Sequence, residues 1–441
     1  VTLATQWINS VGDAVAPWDK KDFKNPSGKV FSPKGMMVWP AANAHYRKET
    51  YDNYPGARAI LTAVYEGLQV PIDTGLLIEA RLFTNVLQSK VVEAMIGTLF
   101  MAKNKLDKGS RRPTNIPATN LKKVGIIGAG LMGAGIAYVS ALSGLDVVLI
   151  DTTEEKIQGG KDTINKLASG QVSRKKMSEQ AKDELLARVN ETISYEALSD
   201  VDLVIEAVFE DRDIKDKVLQ TVQEVVGLDT IIASNTSTLP ITSLADSLKD
   251  PGKFIGIHFF SPVDRMLLVE VIMGKNTNEL ALATALDFVR MIKKTPIVVN
   301  DCRGFYANRC VLNYVLEGHL MLWEGIPAAM IENAAKMAGM PVGPLALNDE
   351  VGLDLGWKIL QATKKDLGPN SVIPSQEELL EYMVVKNDRL GRKNGKGFYE
   401  YEGTKRLWDG LSQYATQDPD SIDVEELKTR LLVAQSIEAA R

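Results

Sequence analysis

Cysteine is scarce in this sequence: Cys302 and Cys310 are the only two among 441 residues. Two thiols cannot build the disulfide framework of a small secreted domain, and they favour a reducing compartment. Neither lies in the spacing of a metal site, so both are interpreted as core residues and no metal is expected. The sequence also has no apolar run near the ~18 residues that a membrane-spanning helix needs. A formal net charge of −5 gives no electrostatic reason to expect binding to nucleic acid or to an anionic membrane.

The remaining composition is that of a soluble globular protein, with 45% hydrophobic and 24% charged residues. A chain of 441 residues is long enough for two or three domains. It starts at Val1 without an initiator Met or a signal-peptide pattern. We therefore expect a fragment or a processed chain.

The segment from Lys123 to Asp151 has the order strand, glycine-rich turn, helix, strand, acid. Its parts are a buried strand at Val124–Ile127, the glycines Gly128, Gly130 and Gly133, a helix to about Ser143 ended by Gly144, a strand at Val147–Ile150, and Asp151. This order is the fingerprint of dinucleotide binding. An ordinary α/β crossover is the alternative.

Each part of this segment has a physical role. Gly128 makes the tight turn, Gly130 lets the backbone approach a pyrophosphate, and Gly133 lets helix and strand pack closely. The free N–H groups at the helix start hold the phosphates. Asp151 can accept from both ribose hydroxyls and would repel the 2′-phosphate of NADP, and no arginine occupies 152–154. The expected cofactor is NAD.

The region before this segment, residues 1 to about 120, does not form a self-contained pattern. It has a helix near Thr2–Asn9, a polar stretch punctuated by Pro and Gly at Trp18–Pro40, helical patterns at Ala57–Leu68 and Gly75–Lys103, and a linker at Lys103–Lys123. Its apolar stripes at helical spacing predict packing faces.

After Asp151 the sequence repeats strands and helices, as in a doubly wound sheet. The predicted elements are helices at Glu154–Leu167, Ser178–Val189 and Ile214–Val226, and strands at Val201–Ala207 and from Thr230 to Ala233. Two further apolar runs, Phe254–Phe260 and Leu267–Ile272, are separated only by a turn, so they should pair antiparallel. Beyond Pro296 the pattern becomes helical, at Gly304–Glu324, Pro327–Ala338, Glu350–Lys364 and Ile422–Arg441.

Polar residues follow the strands of the predicted sheet, at the edge where ligands bind. Val208 and Glu210 follow one strand, and Lys215 lies in the first turn of the next helix, where it could meet the nicotinamide ribose or phosphate. A solvated surface lysine is the alternative. Ser234–Thr238 follows the next strand, and its small polar residues could instead cap a helix.

His258 lies in an apolar strand, where a histidine is usually a hydrogen-bonded core residue. Pairing Phe260 with Leu268 sets His258 opposite Glu270, with Cβ atoms about 4.5–5.5 Å apart. A buried glutamate needs a partner. The two residues therefore predict a general base with an orienting carboxylate.

Six motifs together resemble the L-3-hydroxyacyl-CoA dehydrogenases of fatty-acid β-oxidation. They are GIIGAGLMGAGIA, SNTSTLPIT, GIHFFSPV, LVEVI, GFYANR and DEVGLDL, in the family's order, and the resemblance covers about residues 121–402. It implies a Rossmann-type α/β NAD-binding domain at 121–300, followed at 301–402 by an all-α domain for dimerisation and substrate binding.

The resemblance also implies roles for individual residues. His258 takes the proton of the substrate hydroxyl, and Glu270 fixes its tautomer. Ser237 and Asn308 hydrogen-bond the reacting oxygen. Cofactor contacts are implied for Met132, Asp151, Val208, Glu210, Lys215 and Ser237, besides the three glycines. Ser261 stands where many members have Asn, which could weaken a cofactor contact.

The flanks resemble those of large multifunctional β-oxidation α chains. Residues 1–120 resemble the tail of a hydratase part and its connecting helices, without a hydratase core. Residues 403–441 resemble the start of a truncated second helical repeat. The expected partners are an acyl-CoA substrate and, in the full-length complex, a thiolase subunit. The expected location is the bacterial cytoplasm, with an organelle as the alternative.

Two other functions stay open from the sequence. One is a related 3-hydroxyacid dehydrogenase that does not use CoA. The other is a non-catalytic NAD-binding protein of the same fold. The intact set of Ser237, His258, Glu270 and Asn308 argues against the second. Acyl-chain preference and oligomeric state do not follow from the sequence.

Overall fold

The computed structural model describes residues 1–11, 15–25 and 28–441. The chain divides into two compact units, one of Val1–Gly97 with Asn313–Ile437, the other of Thr98–Leu312 with Glu438–Arg441. The region predicted at 1–120 includes residues 12–14 and 26–27, which lie outside the described residues. Within the described ranges, we find no helix with the length and apolarity needed to cross a membrane.

Helices make up most of the N-terminal region. They are α1 (Thr2–Ser10), α2 (Pro33–Thr50), α3 (Pro55–Gly67), α4 (Ile72–Leu87), α5 (Lys90–Met95) and α6 (Lys103–Asp107), with a π-helical turn at Ile96–Ala102. Helix α2 corrects the sequence analysis, which interpreted Trp18–Pro40 as a polar stretch. Ser32 caps α2 by accepting from the Gly35 N–H, and Pro33 occupies the first turn, where its missing N–H costs nothing.

The unit that begins at Thr98 contains an eight-stranded sheet. Its strands are β1 (Lys123–Ile127), β2 (Asp146–Ile150), β3 (Val189–Thr192), β4 (Leu203–Glu206), β5 (Ile231–Ser234), β6 (Phe254–Phe259), β7 (Leu268–Met273) and β8 (Thr295–Asn300). The spatial order is β3-β2-β1-β4-β5-β6-β7-β8. Strands β1 to β6 are parallel, and β7 runs antiparallel to β6, which confirms the predicted antiparallel pairing.

Helices cover this sheet on both faces. They are α7 (Leu131–Leu142), α8 (Glu154–Ser173), α9 (Glu179–Ala187), α10 (Arg212–Val225), α11 (Ile241–Ala245) and α12 (Glu279–Met291). Side chains of β1 alternate between two hydrophobic cores, one on each face of the sheet. Val124 and Ile126 belong to one core and Ile127 belongs to the other, as the two-residue period of a strand requires. The strand order reverses between β1 and β4, and ligands bind in the crevice at such a switch point.

Two strands were missed in the sequence. The predicted helix at Ser178–Val189 extended to the first residue of β3 and the rest of β3 was not assigned, and β8 fell where a helical pattern was predicted beyond Pro296. Both are edge strands of the sheet. Three of the four residues of β3 are not fully buried, so they lack the apolar run of the central strands. Pro296 lies in β8, where an edge position tolerates a missing N–H.

The C-terminal part of the chain is mainly helical, with a short two-stranded ribbon. Its elements are α13 (Ala307–Trp323), α14 (Ala328–Met337), α15 (Pro344–Val351), α16 (Leu353–Leu367), α17 (Pro374–Leu380), β9 (Tyr399–Glu400), β10 (Arg406–Leu407) and α18 (Val424–Ala440). The single helix predicted at Glu350–Lys364 is two helices. They are divided at Gly352, whose φ of +101° is a conformation that glycine adopts readily.

Two buried carboxylates hold the segment around β9 against the helices. Glu332 accepts from the Tyr399 hydroxyl at 2.9 Å and from the Leu345 N–H at 2.8 Å. Asp349 accepts from the N–H groups of Phe398 and Tyr399, both at 2.8 Å. Burial raises the pKa of Asp349 to about 6, because these donors offset only part of the cost of desolvating the charge.

His319 gives this unit a dependence on pH. It is buried, its Nε2 lies 2.9 Å from Asn348 Oδ1, and burial lowers its pKa to about 4. A base whose pKa falls on folding adds stability above its ordinary value of 6.5, and that stability is lost as the pH falls through 6.5 towards 4. Asp349 acts in the opposite direction, since its raised pKa favours the protonated, folded form at low pH.

We expect the variant His319→Gln to lose this dependence while still donating to Asn348. The difference in unfolding free energy between wild type and variant should shrink by roughly 3 kcal/mol from pH 7 to pH 4. Urea denaturation at a series of pH values measures this difference in unfolding free energy. The contribution of Asp349 cancels in the difference, because both proteins contain Asp349. A difference that stays constant across this range would show that His319 is not buried as a neutral imidazole.

Candidate active site

The glycine-rich turn joins β1 to α7. Gly128 has a φ of +102°, and a Cβ there would lie 2.5 Å from the Ala207 carbonyl oxygen. A Cβ at Gly133 would lie 1.7 Å from the Gly128 carbonyl oxygen, but one at Gly130 would meet no atom of the described residues within 4 Å. Gly130 is the N-cap of α7, and glycine has no side chain to cap the first N–H groups. The turn thus leaves open space at a helix N-terminus.

Asp151 follows β2 beside this turn, as the spacing predicted. Its Oδ2 accepts from the Ala129 N–H at 2.8 Å, and its Oδ1 accepts from the Thr152 N–H at 2.6 Å. Oδ1 also accepts from the Thr152 hydroxyl at 3.2 Å, so Oδ2 is the oxygen that can still accept a further hydrogen bond. The sequence analysis missed Lys156, whose Nζ lies 3.7 Å from Asp151 Oδ1. Lys156 lies in the first turn of α8, beyond positions 152–154, where the absence of arginine was the argument for NAD.

A buried charge cluster lies at the carboxyl end of β4. The Lys215 ammonium is 2.7 Å from Glu206 Oε1 and 3.2 Å from Glu210 Oε2. The side chain of Lys215 is only 1% exposed, so the alternative of a solvated surface lysine is wrong. Glu206 was missed because it ends an apolar run. An acid at the end of such a run is a signal that could have found it, since a buried carboxylate requires partners.

Glu210 holds the loop that follows β5. Its Oε1 accepts from the Thr236 hydroxyl at 2.6 Å and from the N–H groups of Ser237 and Thr238 at 2.9 and 3.0 Å. Burial raises the pKa of Glu210, but Lys215 and these donors outweigh it and hold the pKa below its usual range. Glu210 therefore binds this loop as a charged carboxylate.

The alternative that Ser234–Thr238 caps a helix is wrong. The N-cap of α11 is Pro240, and the N–H groups of Ile241 and Thr242 donate to the carboxylate of Asp301 at 2.8 and 2.7 Å.

His258 and Glu270 face each other across β6 and β7, and the predicted register is confirmed. His258 Nδ1 lies 2.6 Å from Glu270 Oε2. The other oxygen of Glu270 accepts from the N–H groups of Tyr306 and Ala307 at 3.1 and 2.8 Å, where α13 begins. With Glu270 Oε2 as the acceptor, Nδ1 of His258 carries the hydrogen of this bond, which leaves Nε2 with a free lone pair.

The other predicted residues lie in α7, in α13 and in the loops that follow β4, β5 and β6. Asn308 Nδ2 donates to the Ser237 carbonyl oxygen at 3.3 Å, so these two predicted residues are neighbours. Val208 donates its N–H to Glu206 at 2.8 Å. Met132 lies in the first turn of α7, and Ser261 is exposed in the turn after β6. Sequence reasoning missed Asn235, whose Oδ1 accepts from the Phe259 N–H at 2.8 Å and so fixes the strand end next to His258.

Two family models match this chain. They are the NAD binding domain of 3-hydroxyacyl-CoA dehydrogenase, over residues 123–302, and the C-terminal domain of 3-hydroxyacyl-CoA dehydrogenase, over residues 304–401. Among solved structures, (S)-3-hydroxybutyryl-CoA dehydrogenase PaaH1 from Ralstonia eutropha is 36% identical with a TM-score of 0.60, and the match covers 64% of this chain and 100% of that one.

Curated relatives are longer than this chain. The fatty acid oxidation complex subunit alpha of Shewanella frigidimarina is 38% identical over 366 residues, which is 83% of this chain and 51% of that protein. The protein of the same name from Acinetobacter baumannii is 36% identical over 433 residues, 96% of this chain and 60% of that protein. The chain thus spans between 51% and 60% of the length of these two relatives.

Proposed function

Because this chain belongs to the 3-hydroxyacyl-CoA dehydrogenase family, we propose that it oxidises the hydroxyl group of an L-3-hydroxyacyl-CoA to a ketone, with NAD as the cofactor. The observation that carries the proposal is the buried pair of His258 and Glu270, 2.6 Å apart, at the carboxyl edge of an NAD-binding sheet. A base held by a carboxylate supplies what the oxidation of a secondary alcohol needs, namely removal of a proton.

The residues around the glycine turn fit NAD. The open space at Gly130 lies at the N-terminus of α7, where N–H groups can bind a pyrophosphate. Asp151 keeps a free lone pair on Oδ2 for a ribose hydroxyl. Bound NAD⁺ would supply the hydride acceptor of the reaction. The other proposed contacts are Met132, Val208, Glu210, Lys215, Ser237 and Ser261.

His258 acts as the general base in this proposal. Glu270 binds the Nδ1 proton, so Nε2 accepts the proton of the substrate hydroxyl. The resulting imidazolium lies against a carboxylate that is itself fixed by two backbone N–H groups. The ring of His258 lies 4.7 Å from that of Phe260 and 5.8 Å from that of Phe305. These apolar neighbours limit the access of water and strengthen the ion pair.

Ser237 and Asn308 position the reacting oxygen in this proposal. The two residues are neighbours, because the Asn308 side-chain amide donates a hydrogen bond to the Ser237 carbonyl oxygen. Glu210 fixes the backbone of Ser237 from the other side. The backbone of Ser237 is thus held at both its N–H and its carbonyl oxygen. Its hydroxyl is therefore presented in a fixed position, which reduces the entropy lost when the substrate is oriented.

The test of this function is an NADH-oxidation assay with acetoacetyl-CoA and with free acetoacetate. Turnover of the thioester, with at least about tenfold lower kcat/KM for the free acid, is the expected result. Equal turnover of both would favour a 3-hydroxyacid dehydrogenase that does not use CoA. Binding of NADH without turnover of either would favour a non-catalytic protein. A series of longer 3-ketoacyl-CoA substrates would then give the chain-length preference.

Cofactor choice should depend on Asp151 and Lys156 together. Asp151→Ala removes the charge that repels a 2′-phosphate, whereas Lys156 remains as a partner for it. We expect the ratio of the dissociation constants for NADPH and NADH to fall by about tenfold to a hundredfold, or roughly 1.4–2.8 kcal/mol. Adding Lys156→Ala should reverse much of the fall. A wild-type protein that uses NADPH and NADH equally would rule out this role of Asp151.

The longer relatives suggest that the chain corresponds to part of a multifunctional protein, and we include this correspondence in the proposal. Residues 1–120 correspond to the tail of a hydratase part without its core, 121–300 and 301–402 to the two dehydrogenase domains, and 403–441 to the start of a second helical repeat. The relatives are named as alpha subunits of a fatty acid oxidation complex, which supports a role in fatty acid oxidation. A thiolase subunit, as partner in a full-length complex, is part of the proposal. The bacterial origin of these relatives supports a cytoplasmic location.

A further inference from the structure

Glu206 is a fully buried carboxylate at the switch point of the sheet. Its exposed fraction is 0%, and it is the last residue of β4. It pairs with Ile127, the residue before Gly128, and with Ser234 at the end of β5. Glu206 therefore lies between the glycine turn and the loop that carries Ser237.

The contacts of Glu206 are those of a carboxyl group paired with an ammonium. Its Oε1 accepts from the Lys215 ammonium at 2.7 Å and from the Val208 N–H at 2.8 Å, and its Oε2 accepts from the Ser234 hydroxyl at 2.6 Å. The ammonium and the N–H group can only donate, so this oxygen carries no proton.

With Glu206 and Glu210 as carboxylates and Lys215 as an ammonium, this cluster has one net negative charge. Lys215 is the only cation that contacts the two carboxylates within the described residues. It directs its donors to Glu206, Glu210 and the Val208 carbonyl oxygen at 3.5 Å. One ammonium cannot neutralise two carboxylates, so a charge of −1 remains at the edge of β4 and β5.

This charge lies on the catalytic side of the cofactor crevice. In a doubly wound fold the two halves of a dinucleotide bind on opposite sides of the switch point. Asp151 follows β2 on one side and marks the adenosine half. The cluster ends β4 and lies on the other side, next to β5 and β6, the strand of His258.

We propose that Glu206 is a specificity-determining residue that favours the oxidised cofactor, whose nicotinamide ring is cationic, relative to the reduced cofactor, whose ring is neutral. The inference rests on the proposed function, because it requires NAD binding. Glu206 acts here through its charge. Two unit charges about 10 Å apart in a medium of effective dielectric constant near 20 interact strongly enough to change a binding constant by roughly tenfold.

The test measures the dissociation constants of NAD⁺ and NADH for the wild type and Glu206→Gln. Glutamine keeps the shape, since its oxygen can accept from Lys215 and Val208 and its amide can donate to the Ser234 oxygen. The ratio of the NAD⁺ constant to the NADH constant should rise by about fivefold to twentyfold, with the affinity for NADH nearly unchanged. Isothermal titration calorimetry gives the first constant and NADH fluorescence the second.

Two further variants separate charge from structure. Ser234→Ala removes a donor to Glu206 without changing any charge, so it should leave the ratio within twofold of the wild type. Glu210→Gln removes a negative charge from the same cluster at a more exposed position, and it should raise the ratio as Glu206→Gln does, even if Glu206→Gln does not fold.

The outcomes distinguish this inference from the proposed function. A wild type that binds neither NAD⁺ nor NADH would overturn the proposed function itself. Binding of both, with an unchanged ratio in the folded Gln variants, would overturn only the role of Glu206. A ratio that rises equally in Ser234→Ala would also overturn it, because the effect would then come from disturbed packing.

Discussion

His258→Gln is expected to lower kcat by about 10²–10⁴-fold, which is the usual contribution of a positioned general base. The reason is that hydride cannot leave the substrate unless the hydroxyl proton is removed, and Nε2 of His258 is the acceptor proposed here. The affinity for NADH should stay nearly unchanged, because the proposed cofactor contacts at Gly130 and Asp151 follow other strands, β1 and β2. Steady-state kinetics with acetoacetyl-CoA and NADH fluorescence titration measure the two quantities.

A matched control is available in the second buried histidine. His319 is 2% exposed and is bound to Asn348 in the other unit, so His319→Gln should retain the wild-type kcat. If His258→Gln kept a kcat within a few-fold of the wild type, His258 would be a core histidine and the proposed mechanism would have to be abandoned.

Glu270→Gln tests the same pair from the other side. The backbone N–H groups of Tyr306 and Ala307 require an oxygen, so the new amide nitrogen would face His258 Nδ1. That amide donates, which forces the imidazole proton to Nε2, the atom that must accept from the substrate. The variant should be severely impaired. Because the two residues act as a unit, the double variant should lose much less than the product of the single losses.

The site could be predicted where one element or one hairpin sets the geometry. The turn between β6 and β7 is short, and a strand has a period of two residues, so Phe260 opposite Leu268 was enough to set His258 against Glu270. In the same way, the spacing from Gly128 to Asp151 follows from one strand, one helix and one strand.

Prediction failed where a role depends on several distant segments. Glu206 ends an apolar strand, and its buried contacts with Lys215, Val208 and Ser234 do not follow from that strand alone. The edge strand β8 contains Pro296 and a single fully buried position. The hydrophobic pattern of this segment therefore did not distinguish a strand from a helix. The strand is defined instead by its pairing with β7. The fold class was predictable because the central strands are continuous apolar runs, a property that edge strands lack.

Two glycines of the turn, Gly130 and Gly133, should separate cofactor binding from folding. Gly130 has a φ of −68°, which alanine adopts, and a Cβ there meets no atom of the described residues within 4 Å. We therefore expect Gly130→Ala to fold normally and to bind NADH at least about tenfold more weakly, because the methyl group takes the space of the pyrophosphate.

Gly133→Ala should instead unfold more easily, by roughly 3 kcal/mol or more, since its Cβ would lie 1.7 Å from the Gly128 carbonyl oxygen and backbone cannot move aside as a side chain can. Gly159→Ala is the control, because a Cβ at this exposed position in α8 meets no atom of the described residues within 4 Å. It should leave NADH binding unchanged and add about 0.5–1 kcal/mol to stability. Urea denaturation and NADH titration of the three variants give both quantities. Wild-type affinity in Gly130→Ala would mean that no phosphate approaches this turn, and the assignment of the cofactor site would be wrong.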